Sequence, residues 1–536
     1  MPSTPTTKSQ VQAYQFVLRR MQSALVRRDA VMLHDPMRTH SRATVVGVVL
    51  GVLGVAVFTI WGLLSPQPSV PNSGSIVIGE QSGTVYVVTG NPKKLVPTFN
   101  LASARLLLMA QKSNGGPGAA SSAATAVVNP TVVSDEQLKS IPRERLTGIP
   151  NGPQLLPTDS QRISPNWAVC DEVNLDPSLV HPDSINKTDT YVFAGLTTPL
   201  GRELGENEAL LATSDNGKTY LIYRLPSTPN RPNANTVRAE IDLGANNAVK
   251  SALQLPDRAR KISQGLLNTI PEVGRLSPPD IEGKGSQPTA GFDGLFVGDV
   301  FSTSPAGGQA EYWAITQNGI QKISGAVADI MRVAKNGSAG RTPNLGLDKL
   351  SGVHQLQPGD PGYIPVDDFP RSRPTVLDAT QGSPVACLGW SLVGDATNQD
   401  SHTSVFVSDQ LPGPKDAANK TTAVKVNTPG PNGVPITGFY MQPGFGAVVQ
   451  SATGKASFGK GPIQLISDRG IRYGVPDAKT ADGLGLTNRQ PAPESIISLL
   501  PPGAELNTQD VLRQFDTVPI DPNAGVVPPA TKAPGN

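Results

Sequence analysis

The chain contains two cysteines, Cys170 and Cys387, in local sequences that mirror each other. The run W-A-V-C ends at Cys170, and the run C-L-G-W begins at Cys387. Two thiols in an oxidising compartment usually form one disulfide. Two buried free thiols are the alternative, and a redox site is disfavoured because there is no C-x-x-C motif. The pair therefore predicts one long-range disulfide, provided that this part of the chain lies outside the cytosol.

The other reactive residues do not form a recognisable catalytic pattern. The fragment Gly454-Lys455-Ala456 is the nearest approach to a phosphate loop, but it lacks the upstream glycine and the Ser or Thr that hold phosphate and Mg²⁺. The five histidines are scattered, and none lies in H-E-x-x-H or near a cysteine, so no metal or cofactor is predicted. Asp367 and Asp368 are adjacent, which is typical of a solvated loop rather than of a glycosidase pair. We therefore expect no enzyme activity.

A membrane anchor precedes all of the cysteines and most of the carboxylates. Residues 43–64 carry no charge, and as a helix they would span about 33 Å, enough for a hydrocarbon core of about 30 Å. A cleaved signal peptide is the alternative. It fits poorly, because 42 residues come first and no small-residue cleavage site follows. The segment predicts a single transmembrane helix.

Charges on the two sides of this segment predict its orientation. Residues 1–42 hold seven basic and two acidic residues, and the next charge after the segment is Glu80. The positive-inside rule then places residues 1–42 in the cytosol and the remainder outside. The outer part has 38 basic and 41 acidic residues, so we expect contact with membrane lipid near the anchor and no nucleic-acid partner.

Residues 9–28 predict an amphipathic helix with a capping box at Ser9 and Gln12. Its apolar residues recur at helical spacing, with arginines mainly elsewhere. A helix lying on the membrane surface and a helix that docks onto a cytosolic partner fit this pattern equally well. The candidate partner-binding residues are Val11, Tyr14, Phe16, Leu18, Arg19, Arg20, Met21 and Leu25.

The outer part predicts an α+β, β-rich fold. The whole chain has 54 glycines and 51 prolines, which favours many turns and short strands. Four segments share a strand, a polar turn with glycine, a second strand and a helix-like stretch, beginning near residues 82, 209, 311 and 464. Further strands are predicted at 291–303 and 444–452. We therefore expect an elongated region with a central β core and four small βα repeat domains in two quasi-equivalent halves, which the disulfide would join.

These patterns divide the chain into ten segments. The predicted segments are a cytosolic segment (1–42), the transmembrane helix (43–64), the first repeat (65–110), a linker with core (111–208), the second repeat (209–260), a core segment (261–310), the third repeat (311–334), a core segment (335–462), the fourth repeat (463–490) and a C-terminal segment with a Pro-rich tail (491–536).

Several motifs together resemble the EccB family, the bitopic subunit of the ESX (type VII) secretion machinery of mycobacteria and related actinobacteria. The opening S-Q-V-Q-A-Y-Q-F-V-L-R-R at 9–20 is similar to the family's first motif. N-L-A-S-A-R-L at 100–106, G-I-P at 148–150 and W-A-V-C-D at 167–171 resemble three further signatures. An insertion at 116–126 departs from the family's spacing before G-I-P.

The resemblance implies a structural inner-membrane subunit with its bulk in the periplasm. It implies EccC, EccD, EccE and the mycosin protease as partners, and self-association through the periplasmic part. It also implies four repeats, one disulfide and, by suggestion for the family, ATPase activity. Because the phosphate loop is absent, an envelope nucleotidase is kept as an alternative, together with a protein that binds or hydrolyses cell wall.

Overall fold

The computed structural model describes most of the chain as two compact units, 1–70 and 71–536. The described residues are 7–28, 36–64, 69–113, 127–185, 187–225, 236–244, 247–289, 291–305, 308–338, 340–395 and 398–518. The Pro-rich tail predicted at the C-terminus and the insertion at 116–126 lie outside them, except for the tail's first residues. Each unit is described separately below.

The N-terminal unit consists of two helices. α1 is Lys8–Arg27 and α2 is Pro36–Leu64. Within α2, the 22 residues Ser41–Gly62 are long and apolar enough to cross a membrane, and among the described residues no other helix is. This agrees with the predicted span at 43–64, which α2 extends by about two turns at its N-terminal end.

The second unit is built mainly from short strands. Its elements up to the second repeat are β1 (Ser75–Gly79), β2 (Val85–Thr89), β3 (Lys94–Thr98), α3 (Leu101–Ser113), β4 (Thr131–Val133), α4 (Asp135–Leu138), β5 (Leu146–Thr147), β6 (Trp167–Val173), β7 (Thr188–Ala194), β8 (Arg202–Glu203), β9 (Glu208–Thr213), β10 (Thr219–Arg224), β11 (Thr236–Ile241), α5 (Ala248–Leu253), β12 (Arg260–Lys261), α6 (Gln264–Thr269) and β13 (Glu272–Val273).

The remaining elements follow a related order. They are β14 (Val300–Thr303), β15 (Glu311–Thr316), β16 (Gly319–Ile323), α7 (Gly325–Asn336), β17 (Thr375–Val376), β18 (Val385–Val393), β19 (Asp400–Ser408), β20 (Val424–Lys425), β21 (Gly438–Tyr440), β22 (Gly446–Ala452), β23 (Ile463–Ser467), β24 (Arg472–Val475), α8 (Ala478–Leu484), β25 (Gln490–Pro493), α9 (Glu494–Ile497) and β26 (Gln514–Phe515). The fold class predicted from the sequence is confirmed.

Each of the four repeats has three antiparallel strands followed by a helix. They are β1–β2–β3 with α3, β9–β10–β11 with α5, β14–β15–β16 with α7, and β22–β23–β24 with α8. The glycine turns close hairpins as predicted. Gly217 and Gly470 adopt φ values of 80° and 78°, a left-handed conformation that glycine reaches without steric cost. The structure adds one antiparallel strand per repeat, and the strands predicted near 291–303 and 444–452 become the first strands of repeats 3 and 4.

After the helix, the chain returns along both edges of each repeat sheet. β4, β12 and β25 run parallel to the first strand of their repeats, and a single parallel bridge from Ser302 to Asn344 does the same in repeat 3. The chain then crosses to the third strand. There the amides of Leu95, Arg238, Ile320 and Arg472 donate to the carbonyls of Pro142, Pro271, His354 and Pro501. The same connection is therefore used four times.

The repeat helices form because an apolar face is flanked by good caps, as in α7. The hydroxyl of Ser324 accepts a hydrogen bond from the Val327 amide at 3.3 Å, and Gly337 ends the helix at φ 71°. Val327, Ile330 and Met331 recur at helical spacing and are buried. This face packs on the sheet of repeat 3 and on α5 of repeat 2.

The central sheet joins the two halves of the second unit. Its seven strands run in the order β20-β21-β7-β6-β18-β19-β8. β6 and β18 are antiparallel, with Trp167 opposite Trp390 and Cys170 opposite Cys387. Because side chains alternate along a strand, the tryptophans pack into the main core on one face and the cysteines lie on the other.

The halves interleave rather than forming separate bodies. α3 of repeat 1 packs on α8 of repeat 4, and α5 of repeat 2 packs on α7 of repeat 3. The segments before β6 and β18 also contact the opposite half. Arg162, before β6, forms a bridge with Gly446 of repeat 4, and β17, before β18, pairs with β9 of repeat 2. Each repeat therefore packs against one from the other half.

Candidate assembly elements and the central disulfide

The residue that caps helix α1 is Thr7, two positions before the Ser9 that the sequence suggested. The Thr7 amide donates to the Gln10 side chain at 2.9 Å, and the Gln10 amide donates to the Thr7 hydroxyl at 3.4 Å. This reciprocal pair is the capping box, so the prediction of a box at Ser9 and Gln12 is wrong. Both pairs match the S/T-x-x-E/Q pattern, and Thr7 takes the extended conformation that starts the helix.

The apolar residues of α1 form one continuous seam. Val11, Tyr14, Leu18, Met21 and Leu25 follow alternating spacings of three and four, the a and d positions of a heptad. All five are exposed, Tyr14 at 67% and Leu25 at 80%, whereas the helical spacing places Phe16 on the opposite face of α1. Arg19 and Arg20 are exposed on the same helix. The predicted partner-binding residues are thus solvent-accessible on α1.

The two cysteines form the predicted disulfide. Their sulfur atoms are 2.06 Å apart, and both residues are completely buried. Tyr191 on β7 is directly opposite Cys170, and Phe406 on β19 is directly opposite Cys387. The bridge therefore lies in one row of side chains across four strands, with an aromatic ring on each side.

Asp171, next to the disulfide, is a buried carboxylate that the sequence analysis did not single out. It is 1% exposed and accepts hydrogen bonds from the Ser263 amide at 2.7 Å, the Ser263 hydroxyl at 2.8 Å and the Thr190 hydroxyl at 2.8 Å. Ser263 is the N-cap of α6. The contact fixes this helix on the central sheet. Its sequence signals were its place directly after Cys170 in an apolar strand and as the last residue of the W-A-V-C-D motif.

Arg260 completes this buried polar group. Its guanidinium donates to the carbonyls of Ser383 at 3.0 Å and Pro384 at 2.9 Å. Burial lowers the pKa of Arg260 to about 10. The negative charges of Asp171 and Asp378 act in the opposite direction and raise this pKa. Burial also raises the pKa of Asp171, although its hydrogen bonds and Arg260 act in the opposite direction. The two groups offset part of each other's desolvation.

Replacing Asp171 with asparagine should lower the free energy of unfolding by about 3 kcal/mol. The amide group cannot accept all three hydrogen bonds, and Arg260 is left buried without its neighbouring charge. Because the folded-state pKa of Asp171 is raised, this group's contribution to stability is lost as pH rises through that pKa, and the variant should lack this dependence. Denaturant unfolding at several pH values measures both effects.

The control is Asp378→Asn, which removes an exposed carboxylate near the same guanidinium and should cost less than about 0.5 kcal/mol. Equal costs for the two variants would show that Asp171 does not support the fold as described.

Two of the family-like motifs contact each other in repeat 1. The Asn100 side chain accepts from the Ser103 amide at 2.8 Å and donates to the Ile149 carbonyl at 3.0 Å. The Ile149 amide in turn donates to the Ser103 hydroxyl at 2.9 Å. Hydrogen bonds thus join the N-L-A-S-A-R-L and G-I-P motifs at the start of α3.

Two arginines bind the end of α8 in repeat 4, one from repeat 1 and one from the segment before β6. Arg105 of α3 donates to the Leu484 carbonyl at 2.6 Å, and Arg162 donates to the Gly485 carbonyl at 3.0 Å. These carbonyls lie at the C-terminal end of α8, where a helix favours positive charge. Arg105 belongs to the N-L-A-S-A-R-L motif, so this motif also makes a contact between repeats.

The candidates for chemistry remain apart in the structure. Lys455 begins a short 3-10 turn and donates to the Asn398 side chain at 2.7 Å, and Gly454 has an extended φ of 172°. Tyr363 donates to Asp367 at 2.9 Å, and burial and this contact raise the pKa of Tyr363 to about 12. Over the described ranges, no group of three or more His, Cys, Asp or Glu residues could hold a metal ion.

Together these features define a membrane-anchored protein with a β-rich body of four interleaved repeats. The chain belongs to the EccB family, since the family model described as type VII secretion system ESX-1, transport TM domain B, matches residues 3–520. The match covers both helices of the first unit and nearly all of the second, so the resemblance found in the sequence is confirmed.

Curated relatives match over almost their whole length. The ESX-3 secretion system ATPase EccB3 of Mycobacterium tuberculosis (strain ATCC 25618 / H37Rv) is 30% identical over 96% of this chain and 90% of its own. The ESX-1 secretion system ATPase EccB1 of Mycolicibacterium smegmatis (strain MKD8) is 28% identical over 97% of each chain.

Solved structures share the fold. A chain in the structure of an intact ESX-5 inner membrane complex has a TM-score of 0.66 and 24% identity, over 98% of this chain and 99% of that one. A chain of the EccB3 dimer from the ESX-3 core complex has a TM-score of 0.63 and 26% identity, over 82% of this chain and all of that one.

Proposed function

We propose that this protein is a structural, single-pass inner-membrane subunit of an ESX type VII secretion complex. The observation that carries the proposal is the family match at 3–520, which includes the anchor as well as the β-rich body. The fold shared with a chain of an ESX-5 inner membrane complex supports it. In this role the second unit supplies a rigid platform for assembly and protein export.

The proposed topology places residues 1–42 in the cytosol and the second unit in the periplasm. The basic excess before α2 supports this orientation through the positive-inside rule. The buried Cys170–Cys387 disulfide supports it independently, because such bonds form and persist in oxidising compartments. The unequal charge and the disulfide thus agree on one orientation.

The proposed partners bind through both units. The exposed seam of α1 is suited to pack against another amphipathic helix, because a and d side chains pair across two helices. Its proposed partners in the cytosol are EccC, EccD and EccE, and the mycosin protease is the proposed periplasmic neighbour. The second unit is proposed to self-associate, in line with the EccB3 dimer among its structural relatives.

ATP hydrolysis is the second candidate, because the relatives are named ATPases. We propose instead that the chain is not an enzyme. The sequence contains no phosphate loop, and the nearest fragment uses its lysine to bind Asn398. A cell-wall protein remains a further alternative from the sequence.

Purification of the tagged full chain in mild detergent tests the proposal. We expect the motor subunit and the other membrane subunits of one ESX system to co-purify, and the isolated chain to show no ATP turnover above a heat-denatured sample. Recovery of the chain without any secretion subunit would contradict the structural role. Turnover by the isolated chain would support the ATPase alternative.

A further inference from the structure

The face of the central sheet that carries the disulfide also holds an open cleft. Its volume is about 330 Å³, which is room for roughly eleven water molecules or for an organic ligand with a similar number of non-hydrogen atoms. Ala168 and Gly389 lie opposite each other on β6 and β18 and form the floor. The loop between β7 and β8 forms one side. The size suits a small molecule rather than a folded partner.

One end of the cleft is apolar. Because Gly389 has no side chain, Leu200 and Phe406 can close over the floor, where a Cβ atom would lie 2.7 Å from Leu200 Cδ1 and 2.9 Å from Phe406 Cε2. Leu196 adds a third apolar side chain from the same loop as Leu200. Among the described residues, those that line the cleft include no lysine, arginine, aspartate or glutamate. Above neutral pH a charged ligand would therefore gain no ion pair there.

The other end of the cleft carries polar side chains. Ser391 on β18 lies directly opposite His402 on β19. Ser391 is two positions from Gly389, so it lies on the same face of the sheet as the floor. Asn166 comes directly before β6 and lines the cleft beside Ser391. The side chains of Asn166 and Ser391 form no hydrogen bond with any described residue, so their donors and acceptors are available to a ligand.

Ser404 and Glu203 determine which nitrogen of His402 is available. The Ser404 hydroxyl donates to a Glu203 carboxylate oxygen at 2.6 Å and lies 2.8 Å from His402 Nε2. Since a carboxylate only accepts, the one hydroxyl hydrogen goes to Glu203, and Nε2 must donate to Ser404 Oγ. In the neutral imidazole Nδ1 is then an acceptor, and it forms no hydrogen bond with any described residue.

A hydroxyl group matches this polar end, because it both donates and accepts a hydrogen bond. It can donate to His402 Nδ1 and accept from the Asn166 amide or the Ser391 hydroxyl. An ether has no hydrogen to donate, and a carboxylate would also bring a charge that the lining does not compensate. The floor, made of one alanine and one glycine on a β-sheet, has few protruding atoms and suits a planar ring.

We propose that this cleft binds a small, uncharged planar ring compound with one hydroxyl group. The hydroxyl lies at His402, and the ring lies on the floor against Leu200 and Phe406. The ligand is bound and not converted, because the Glu203 carboxylate holds the hydrogen of Ser404 and this serine is not activated by His402. This site is additional to the proposed secretion role and does not depend on it.

Photoaffinity labelling of the full chain in detergent, at about pH 8, tests the proposal. The probe is 6-azido-2-naphthol, and mass spectrometry quantifies the labelled peptides. The competitors are 2-naphthol, 2-methoxynaphthalene, which lacks the hydroxyl hydrogen, and 2-naphthoate, which is charged. Labelling of α2 measures non-specific labelling within the detergent.

We expect 2-naphthol to protect the peptides that contain Leu200 and Phe406, with half-protection below about 1 mM. 2-Methoxynaphthalene should require at least about fivefold more, and 2-naphthoate at least about tenfold more. Labelling of α2 should show no such preference for the hydroxyl. Cleft peptides that 2-naphthol does not protect, or that 2-naphthoate protects equally well, would overturn the proposal.

His402→Ala should bring 2-naphthol and 2-methoxynaphthalene to within about twofold of each other, because the acceptor for the hydroxyl is gone. The matched control is His354→Ala in repeat 3, outside the cleft, which should keep the preference. The double change Asn166→Ala and Ser391→Ala loses no hydrogen bond among the described residues, so its thermal unfolding should be unchanged while half-protection by 2-naphthol rises about threefold or more. A preference retained in folded His402→Ala, or unchanged protection of the double variant, would contradict the assignment of the polar end.

Discussion

Replacing both Cys170 and Cys387 with alanine should lower the free energy of unfolding by about 3–5 kcal/mol. The bridge joins residues 217 positions apart, so its loss releases a large conformational entropy in the unfolded chain. The loop-closure relation gives about 5 kcal/mol as the upper limit for this length. The expected readout is a lower denaturant midpoint for the full chain in detergent, followed by tryptophan fluorescence under non-reducing conditions.

The matched control is Val385→Ala on β18, which also removes a fully buried side chain near the bridge. It deletes only methyl groups and should cost about 1–2 kcal/mol. Each single cysteine variant breaks the same bond, so its cost should be close to that of the double variant rather than half of it. A double variant no less stable than Val385→Ala would contradict the stabilising role of the bridge.

Changing Tyr14, Leu18 and Met21 on α1 to serine should reduce co-purification of the secretion subunits by more than about tenfold. Each side chain contributes roughly 1.5–3 kcal/mol when it becomes buried at an interface, and a tenfold change requires only about 1.4 kcal/mol. Membrane insertion should be unchanged, because α2 is untouched. Quantitative pull-down from detergent-solubilised membranes, with native gels of the complex, measures the effect.

Changing Gln12, Gln15 and Gln22 to serine provides the control on the same helix. None of these residues occupies an a or d position. Gln15 and Gln22 flank the seam and Gln12 lies farther round the helix, so partner recovery should stay within about twofold of the unmodified chain. Normal assembly of the seam variant would exclude α1 as a docking helix. An equal loss in the glutamine variant would indicate that the helix itself, rather than its apolar seam, had been damaged.

The features that were predictable from sequence are those with a strong local pattern. The span of α2 is an uninterrupted run of uncharged residues, and the hairpin turns carry glycine at the positions that need it. The disulfide was predictable because the chain offers one possible pair. These patterns were sufficient for the fold class, whereas the family was predicted from the short motifs at 9–20, 100–106, 148–150 and 167–171.

The parts that were not predictable depend on contacts between distant segments. β12 has two residues, and repeat 3 completes its edges with single bridges at Asn344 and Gln355, too short to show any periodicity. The apolar face of α3 indicates that it must be covered, but not that α8 covers it. Asp171 was also missed, because its donors come from Thr190 and Ser263, which are 19 and 92 positions away.

The packing of repeat 1 on repeat 4 sets a delay during biosynthesis. α8 leaves the ribosome about 370 residues after α3, which takes roughly 20–70 s at typical elongation rates. Repeat 2 meets its partner helix after only about 80 residues, so the middle pair can mature within roughly 4–16 s. The apolar face of α3 in the first repeat must therefore stay exposed to solvent while the rest of the polypeptide is synthesised. This makes repeat 1 the part of the nascent chain with most need of a chaperone.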